Sequence, residues 1–285
     1  MTTSLFVSPE WLRARIEDPG VRVLAAPMLP PGYQGPRDLH SEYLAGHVPG
    51  AVLFDIEALS DRASPFPHML TSPATFAHAM EALGVGDEQH LVVYDDGSLF
   101  SAPRAWWMLH VAAGAPRVSL LRGGLAGWQR AGLALAQGPV SVGRGVFRVR
   151  PASDRVKTAQ DILGILADHS AQIIDARAAD RFSGQTPEPR PGLRGGHIPG
   201  SLNMPWNALV RDGALKENSE LRRLFAEAGL VWDKPVVASC GSGVTAAVVV
   251  LALTALGRQD VALYDGSWSE WGAGKDLPVA LGDKG

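Results

Sequence analysis

Val236-Val237-Ala238-Ser239-Cys240-Gly241-Ser242-Gly243-Val244-Thr245 runs directly into Ala246-Ala247-Val248-Val249-Val250-Leu251-Ala252-Leu253, and Cys240 is the only cysteine of the chain. A short β-branched run that ends at glycines reads as a buried strand, and the longer apolar run after the loop reads as a helix. The thiol therefore sits where a strand hands over to a helix start. Helix starts carry unpaired N–H groups and the positive end of the macrodipole, a setting that favours thiolate over thiol. Most free cysteines are instead small buried fillers. Position alone leaves both readings open.

Outward from this segment, short apolar runs alternate with helical patterns. Expected strands are Val21–Ala25, Leu91–Tyr94, Val118–Leu121, Gln172–Asp175, Val236–Ser239 and Val261–Tyr264. Ser8-Pro9-Glu10 and Ser72-Pro73-Ala74 each offer an N-cap serine followed by proline at the first helical position. The second helix runs through Phe76, Met80 and Leu83 and should stop at Gly84. This alternation specifies an α/β fold with a mainly parallel sheet flanked by helices.

The 285 residues are enough for two domains, each with its own core. Hydrophobic content of 46% with 19% charged residues fits a soluble protein, and a net charge of -3 offers no footprint for nucleic acid or an anionic membrane. One cysteine excludes an intramolecular disulfide. The first ten residues lack a basic stretch followed by an apolar core, and no apolar run is long enough to span a bilayer. The expected location is cytoplasmic, with no membrane partner.

The chain repeats itself. Gly46-His47-Val48-Pro49-Gly50-Ala51 returns as Gly196-His197-Ile198-Pro199-Gly200-Ser201, and Gly123-Gly124-Leu125-Ala126-Gly127-Trp128 as Gly266-Ser267-Trp268-Ser269-Glu270-Trp271. Leu91-Val92-Val93-Tyr94-Asp95-Asp96 matches Val236–Ser239 and the loop after it, with Asp96 set opposite Cys240. The matches keep the same order, so two homologous domains are expected: 1–138, a linker at 139–155 rich in Gly, Pro, Ser and Arg, and 156–285. Only the second copy carries the thiol.

Three chemistries suit a cysteine in a strand–loop–helix. A phosphocysteine mechanism needs an arginine closing the loop to grip the phosphate, and that position is Ala246. A serine nucleophile elbow centred on Ser242 needs glycines at 240 and 244, which are Cys240 and Val244. Sulfur transfer through a cysteine persulfide needs only the thiol and a ring of N–H donors around an anionic sulfur. The loop from Cys240 to Thr245, with Gly241 and Gly243, can curl its amides inward. Sulfur transfer is the chemistry that matches every loop position.

With these residues in hand, the chain resembles the tandem-domain sulfurtransferases of the rhodanese superfamily, and within it the mercaptopyruvate-using branch. The loop Cys240–Thr245 is typical of that branch. Supporting segments include Gly46–Ala51, His68-Met69-Leu70, Ser101–Trp107, Asp175-Ala176-Arg177, Glu188-Pro189-Arg190, Gly196–Gly200 and Tyr264–Trp268. The resemblance implies two rhodanese-like domains, the second catalytic. It implies a small-molecule sulfur donor, an acceptor that is either cyanide or a thiol such as thioredoxin, and no cofactor. Thiosulfate as donor, or a non-catalytic persulfide or redox-sensing module, are the other functions compatible with the loop.

Thiosulfate-preferring members place cations at the second and third loop positions, where this chain has neutral Gly241 and Ser242. A single-carboxylate donor fits a neutral loop if cations arrive from elsewhere. The resemblance assigns Arg181 and Arg190 to that task, with Gly241, Gly243, Val244 and Thr245 lining the site. It also places Ser242 and His68 in a serine–histidine–acid arrangement, with Glu57 at the acid position and Asp55 as the other possible acid. His47 and His197 precede equivalent Pro-Gly turns and are expected to fix those turns through hydrogen bonds. Arg177 is expected to pair with a carboxylate, and Trp106 and Trp107 to lie in the core. No histidine spacing suggests a metal site.

Overall fold

Two five-stranded sheets, every strand pair in them parallel, form the centres of two units in the computed structural model, which describes residues 4–150 and 153–282. The first unit holds residues up to 62, 70–150 and Asp212–Ala214; the second holds Ala63–Met69, Ser153–Arg211 and the chain from Leu215 onward. Strands of the first sheet are β1 (Phe6–Val7), β2 (Val21–Ala25), β3 (Val52–Leu53), β4 (His90–Tyr94) and β5 (Val118–Leu121), in the order β1-β5-β4-β2-β3. The second sheet is built from β6 (Val156–Lys157), β7 (Gln172–Asp175) and β8 (Leu202–Asn203). After the short strands β9 (Val210–Arg211) and β10 (Ala214–Leu215), it is completed by β11 (Val236–Ser239) and β12 (Ala262–Tyr264). Its order is β6-β12-β11-β7-β8, the same topology with each strand replaced by its repeat partner. The repeat read in the sequence is thus a repeat of architecture.

Both proline-led helices form as expected. Ser8 Oγ accepts the Trp11 N–H ahead of Pro9–Arg13, and Ser72 Oγ accepts the Thr75 N–H ahead of Pro73–Ala82. Gly84 follows the second helix at φ +67°, a left-handed conformation that glycine adopts without strain. The helix Ala246–Ala255 has no polar face, and its residues from Ala246 to Leu253 are all buried, as a helix apolar all round must be. Trp106 and Trp107 are fully buried, in keeping with a core role.

Residues 139–150 contain no helix or strand. They run along the first unit, where Gly145 N–H donates to the Glu81 carbonyl and Arg150 N–H to that of Ala113. Phe147 is buried edge-on against Phe76, with ring centroids 6.2 Å apart.

The repeat also explains the two Gly-His-x-Pro-Gly turns. His47 Nδ1–H donates to the Tyr43 carbonyl and His197 Nδ1–H to that of Phe182, each at 2.8 Å. Each ring stacks on the aromatic it bonds. The expected turn-fixing role is present in both copies.

Candidate active site

Parallel strands deliver their carboxyl ends to one edge of a sheet, and open α/β sheets bind ligands there. In the second unit Ser239, the last residue of β11, pairs in register with Asp175, the last of β7. Cys240 and Ala176, the residue before Arg177, therefore leave neighbouring strands at the same level. Cys240 is 1% exposed, and its N–H donates to Ser267 Oγ at 3.2 Å.

The helix Ser267–Trp271 sets the orientation of the cysteine loop. Its first N–H groups lack partners within the helix, and they take loop carbonyls instead: Trp268 N–H bonds the Cys240 carbonyl and Ser269 N–H that of Gly241, each at 2.9 Å. Ser269 Oγ adds a second bond to the Gly241 carbonyl. Because a trans peptide points its C=O and N–H in opposite directions, anchoring these carbonyls turns the next N–H groups away from that helix. The N–H groups of Gly241, Ser242, Val244 and Thr245 meet no acceptor among the described residues. Gly243 supplies the loop's bend at φ +75°.

The other repeat shows what such a loop holds. Leu125 and Ala126 N–H bond the carbonyls of Asp95 and Asp96, as Trp268 and Ser269 bond those of Cys240 and Gly241. Strand register agrees, since Tyr94 ends β4 against Ala25 as Ser239 ends β11 against Asp175. Cys240 is therefore the counterpart of Asp95, which corrects the expectation of Asp96 by one residue. Two adjacent aspartates make the one-residue offset invisible in sequence; the backbone bonds resolve it. The buried Asp95 carboxylate accepts N–H bonds from Gly97, Leu99, Ser101 and Ala102 at 2.9–3.3 Å. In this architecture the loop after the central strand is a cradle of N–H donors around the side chain at its head.

Arg181 and Arg190 converge on the same loop. A Cβ at position 241 would stand 3.2 Å from Arg181 Nη2 and 3.9 Å from Arg190 Nη1, so glycine leaves the space those guanidinium groups occupy. Arg181 is gripped by Glu188, through Nε at 3.2 Å and Nη2 at 2.5 Å. Glu188 also accepts Arg177 Nη1 at 2.7 Å, and Arg177 makes a forked pair with Asp175. The expectation that Arg177 pairs with a carboxylate is met twice over. Burial alone would lower the Arg177 pKa, but Asp175 and Glu188 raise it overall. Its guanidinium lies 4.2 Å over the Trp268 ring, which couples this ion-pair chain to the helix anchoring the loop.

His68 enters on the loop Ala63–Met69, which packs with the second unit. Its Nδ1 lies 2.8 Å from Ser242 Oγ, and both residues are buried. Glu57 belongs to the first unit, on an exposed turn after β3. Asp55 Oδ1 accepts the Ala58 N–H of that same turn. The structure thus gathers Cys240, Gly241, Ser242, Gly243, Val244, Thr245, His68, Arg181 and Arg190 in one unit, with Glu57 in the other. Sequence reasoning gave Glu188, Ser267 and Ser269 no role. An acidic residue spaced between two arginines was the available signal for Glu188. Among the described residues no group of three or more His, Cys, Asp or Glu is arranged to hold a metal, and no helix is long and apolar enough to cross a membrane.

Comparison with known proteins gives a consistent set of relatives. The rhodanese-like domain family matches residues 8–131 and 158–273. The 3-mercaptopyruvate sulfurtransferase of Escherichia coli K12 is 55% identical over 279 residues, covering 98% of this chain and 99% of the relative. The human 3-mercaptopyruvate sulfurtransferase is 45% identical over 82% of this chain and 80% of its own length. Thiosulfate sulfurtransferase of Bos taurus is 42% identical over 93% of this chain and 91% of its own length. The crystal structure of SseA from Escherichia coli superposes with a TM-score of 0.86 at 53% identity, covering 93% of this chain and 99% of that one.

Proposed function

This chain belongs to the rhodanese-like domain family, and on that premise we propose that it is a sulfurtransferase that takes sulfur from 3-mercaptopyruvate. The observation that carries the reading is the paired loops. Where the first repeat satisfies its cradle with the Asp95 side chain, the N–H groups of Gly241, Ser242, Val244 and Thr245 beside Cys240 meet no acceptor among the described residues. Those donors suit an anionic terminal persulfide sulfur.

The Cys240 thiolate attacks the sulfur of 3-mercaptopyruvate. An S–S bond forms, the C–S bond breaks, and its electron pair leaves as the enolate of pyruvate. A proton moved through Ser242 and His68 converts that enolate to pyruvate, with the persulfide left as its anion. Arg181 and Arg190 hold the donor's carboxylate and keto oxygen beside Gly241. An acceptor thiolate then attacks the outer sulfur, and Cys240 is regenerated. The catalytic domain is 156–285, joined through 139–155 to the domain 1–138 that lacks the thiol. A cytoplasmic setting suits both a lone reactive thiol and thiol acceptors such as thioredoxin.

Steady-state turnover with cyanide as acceptor, comparing 3-mercaptopyruvate with thiosulfate, tests the reading. Mercaptopyruvate should be the better donor by kcat/KM. Thiosulfate as the much better donor overturns the assignment of substrate, and full activity in Cys240→Ser overturns the mechanism.

A further inference from the structure

The arginine that reaches over Gly241 is not a bare cation. Glu188 binds Arg181 through two nitrogens and Arg177 through a third, while Asp175 takes the rest of Arg177. The chain Asp175–Arg177–Glu188–Arg181 carries two cations and two anions and sums to zero. The Glu188 side chain is 2% exposed, that of Arg177 1% and that of Arg181 21%, so water screens the Glu188 charge weakly and reaches only one edge of Arg181. Arg181 thus turns Nη2 toward the loop while that same Nη2, with Nε, holds the Glu188 carboxylate, so its charge is compensated at the nitrogen that meets the site.

We propose that Glu188 is a specificity-determining residue: by cancelling the Arg181 charge it holds the donor site to monoanions, favouring a carboxylate donor over the dianion thiosulfate. The proposal rests on the sulfurtransferase reading and adds a cause of selectivity outside the cysteine loop. Selectivity read from the loop alone depends on neutral Gly241 and Ser242. Here it also depends on a buried carboxylate whose hydrogen bonds, among the described residues, go to Arg177 and Arg181. Each unit of donor charge feels the field of Glu188, so a dianion is penalised about twice as much as a monoanion.

Kinetics of the wild type, Glu188→Gln and Glu188→Asp with both donors and cyanide test this. The readout is the ratio of kcat/KM for thiosulfate to that for 3-mercaptopyruvate, which is independent of the fraction of enzyme correctly folded. E188Q should raise the ratio by about tenfold, as removal of a weakly screened unit charge near the donor implies, and E188D should restore the wild-type ratio. An E188Q ratio equal to that of wild type marks Glu188 as purely structural and overturns the proposal. If E188Q yields no folded protein, competitive inhibition of the wild type decides between methanesulfonate and sulfate, which share a sulfonate face but differ by one charge. Methanesulfonate should compete at least as well, and sulfate binding tenfold tighter overturns the proposal. A wild type that turns over neither donor defeats the functional reading and this inference together, whereas an active wild type with an unmoved E188Q ratio defeats the inference alone.

Discussion

His68 Nδ1 and Ser242 Oγ are joined by a 2.8 Å hydrogen bond across 174 residues of sequence. His68 makes it from a backbone with φ +63°, a region that non-glycine residues occupy at a cost of roughly 1–3 kcal/mol. A strained, buried histidine bonded to a hydroxyl two residues from the thiol suits proton handling. Ser242→Ala should lower kcat with 3-mercaptopyruvate on the order of a hundredfold, the low end of general acid–base contributions, with KM little changed. His68→Asn should do the same while remaining folded, because asparagine tolerates the left-handed backbone. Wild-type kcat in both variants would remove the pair from the mechanism.

The two Gly-His turns make a contrasting prediction about stability. At Gly196, with φ +111°, a Cβ would fall 2.3 Å from the Ala280 carbonyl oxygen. At Gly46, whose φ of -177° is ordinary extended backbone, the nearest obstacle is the end of the Leu135 side chain at 2.9 Å. Gly196→Ala should cost on the order of 3 kcal/mol and Gly46→Ala about 1 kcal/mol or less, read by thermal or urea unfolding. Equal costs would mean that the repeat motif, not the local contact, dictates glycine.

Asp95 links its cradle of N–H donors to pH. Burial pushes its carboxyl above the ordinary range, opposed by the N–H bonds of Gly97, Ala102 and Ser101. A raised folded-state pKa means that the folded protein holds this proton more tightly than the unfolded chain. The stabilising contribution is therefore full below the ordinary carboxylate value of about 3.9 and is lost as pH rises through the folded value. The stability advantage of wild type over Asp95→Asn should be largest in acid and shrink from about pH 4 upward. An advantage that grows with pH would reverse the sign of the argument.

Much of this fold was legible because its signals are local. The strands from Val21 to Ala25 and from Gln172 to Asp175 were bounded as read, and Ser8 and Ser72 cap as their Ser-Pro motifs require. Two-residue strands such as Phe6–Val7 and Leu202–Asn203 are too short to carry a period, and they exist because neighbouring strands pair with them. The cysteine loop was legible for the same local reason. The offset between Asp95 and Asp96 needed backbone bonds, and the grip of Glu188 on Arg181 needed side-chain geometry. Neither leaves a pattern in one sequence.

The central claim is that Cys240 carries the transferred sulfur within its loop of N–H donors. Intact-protein and peptide mass spectrometry after brief exposure to 3-mercaptopyruvate tests it most directly. The account predicts a gain of about 32 Da located on Cys240, lost when cyanide or a thiol is added and absent in Cys240→Ser. Turnover without any such adduct, or an adduct of oxygen alone on Cys240, would contradict it.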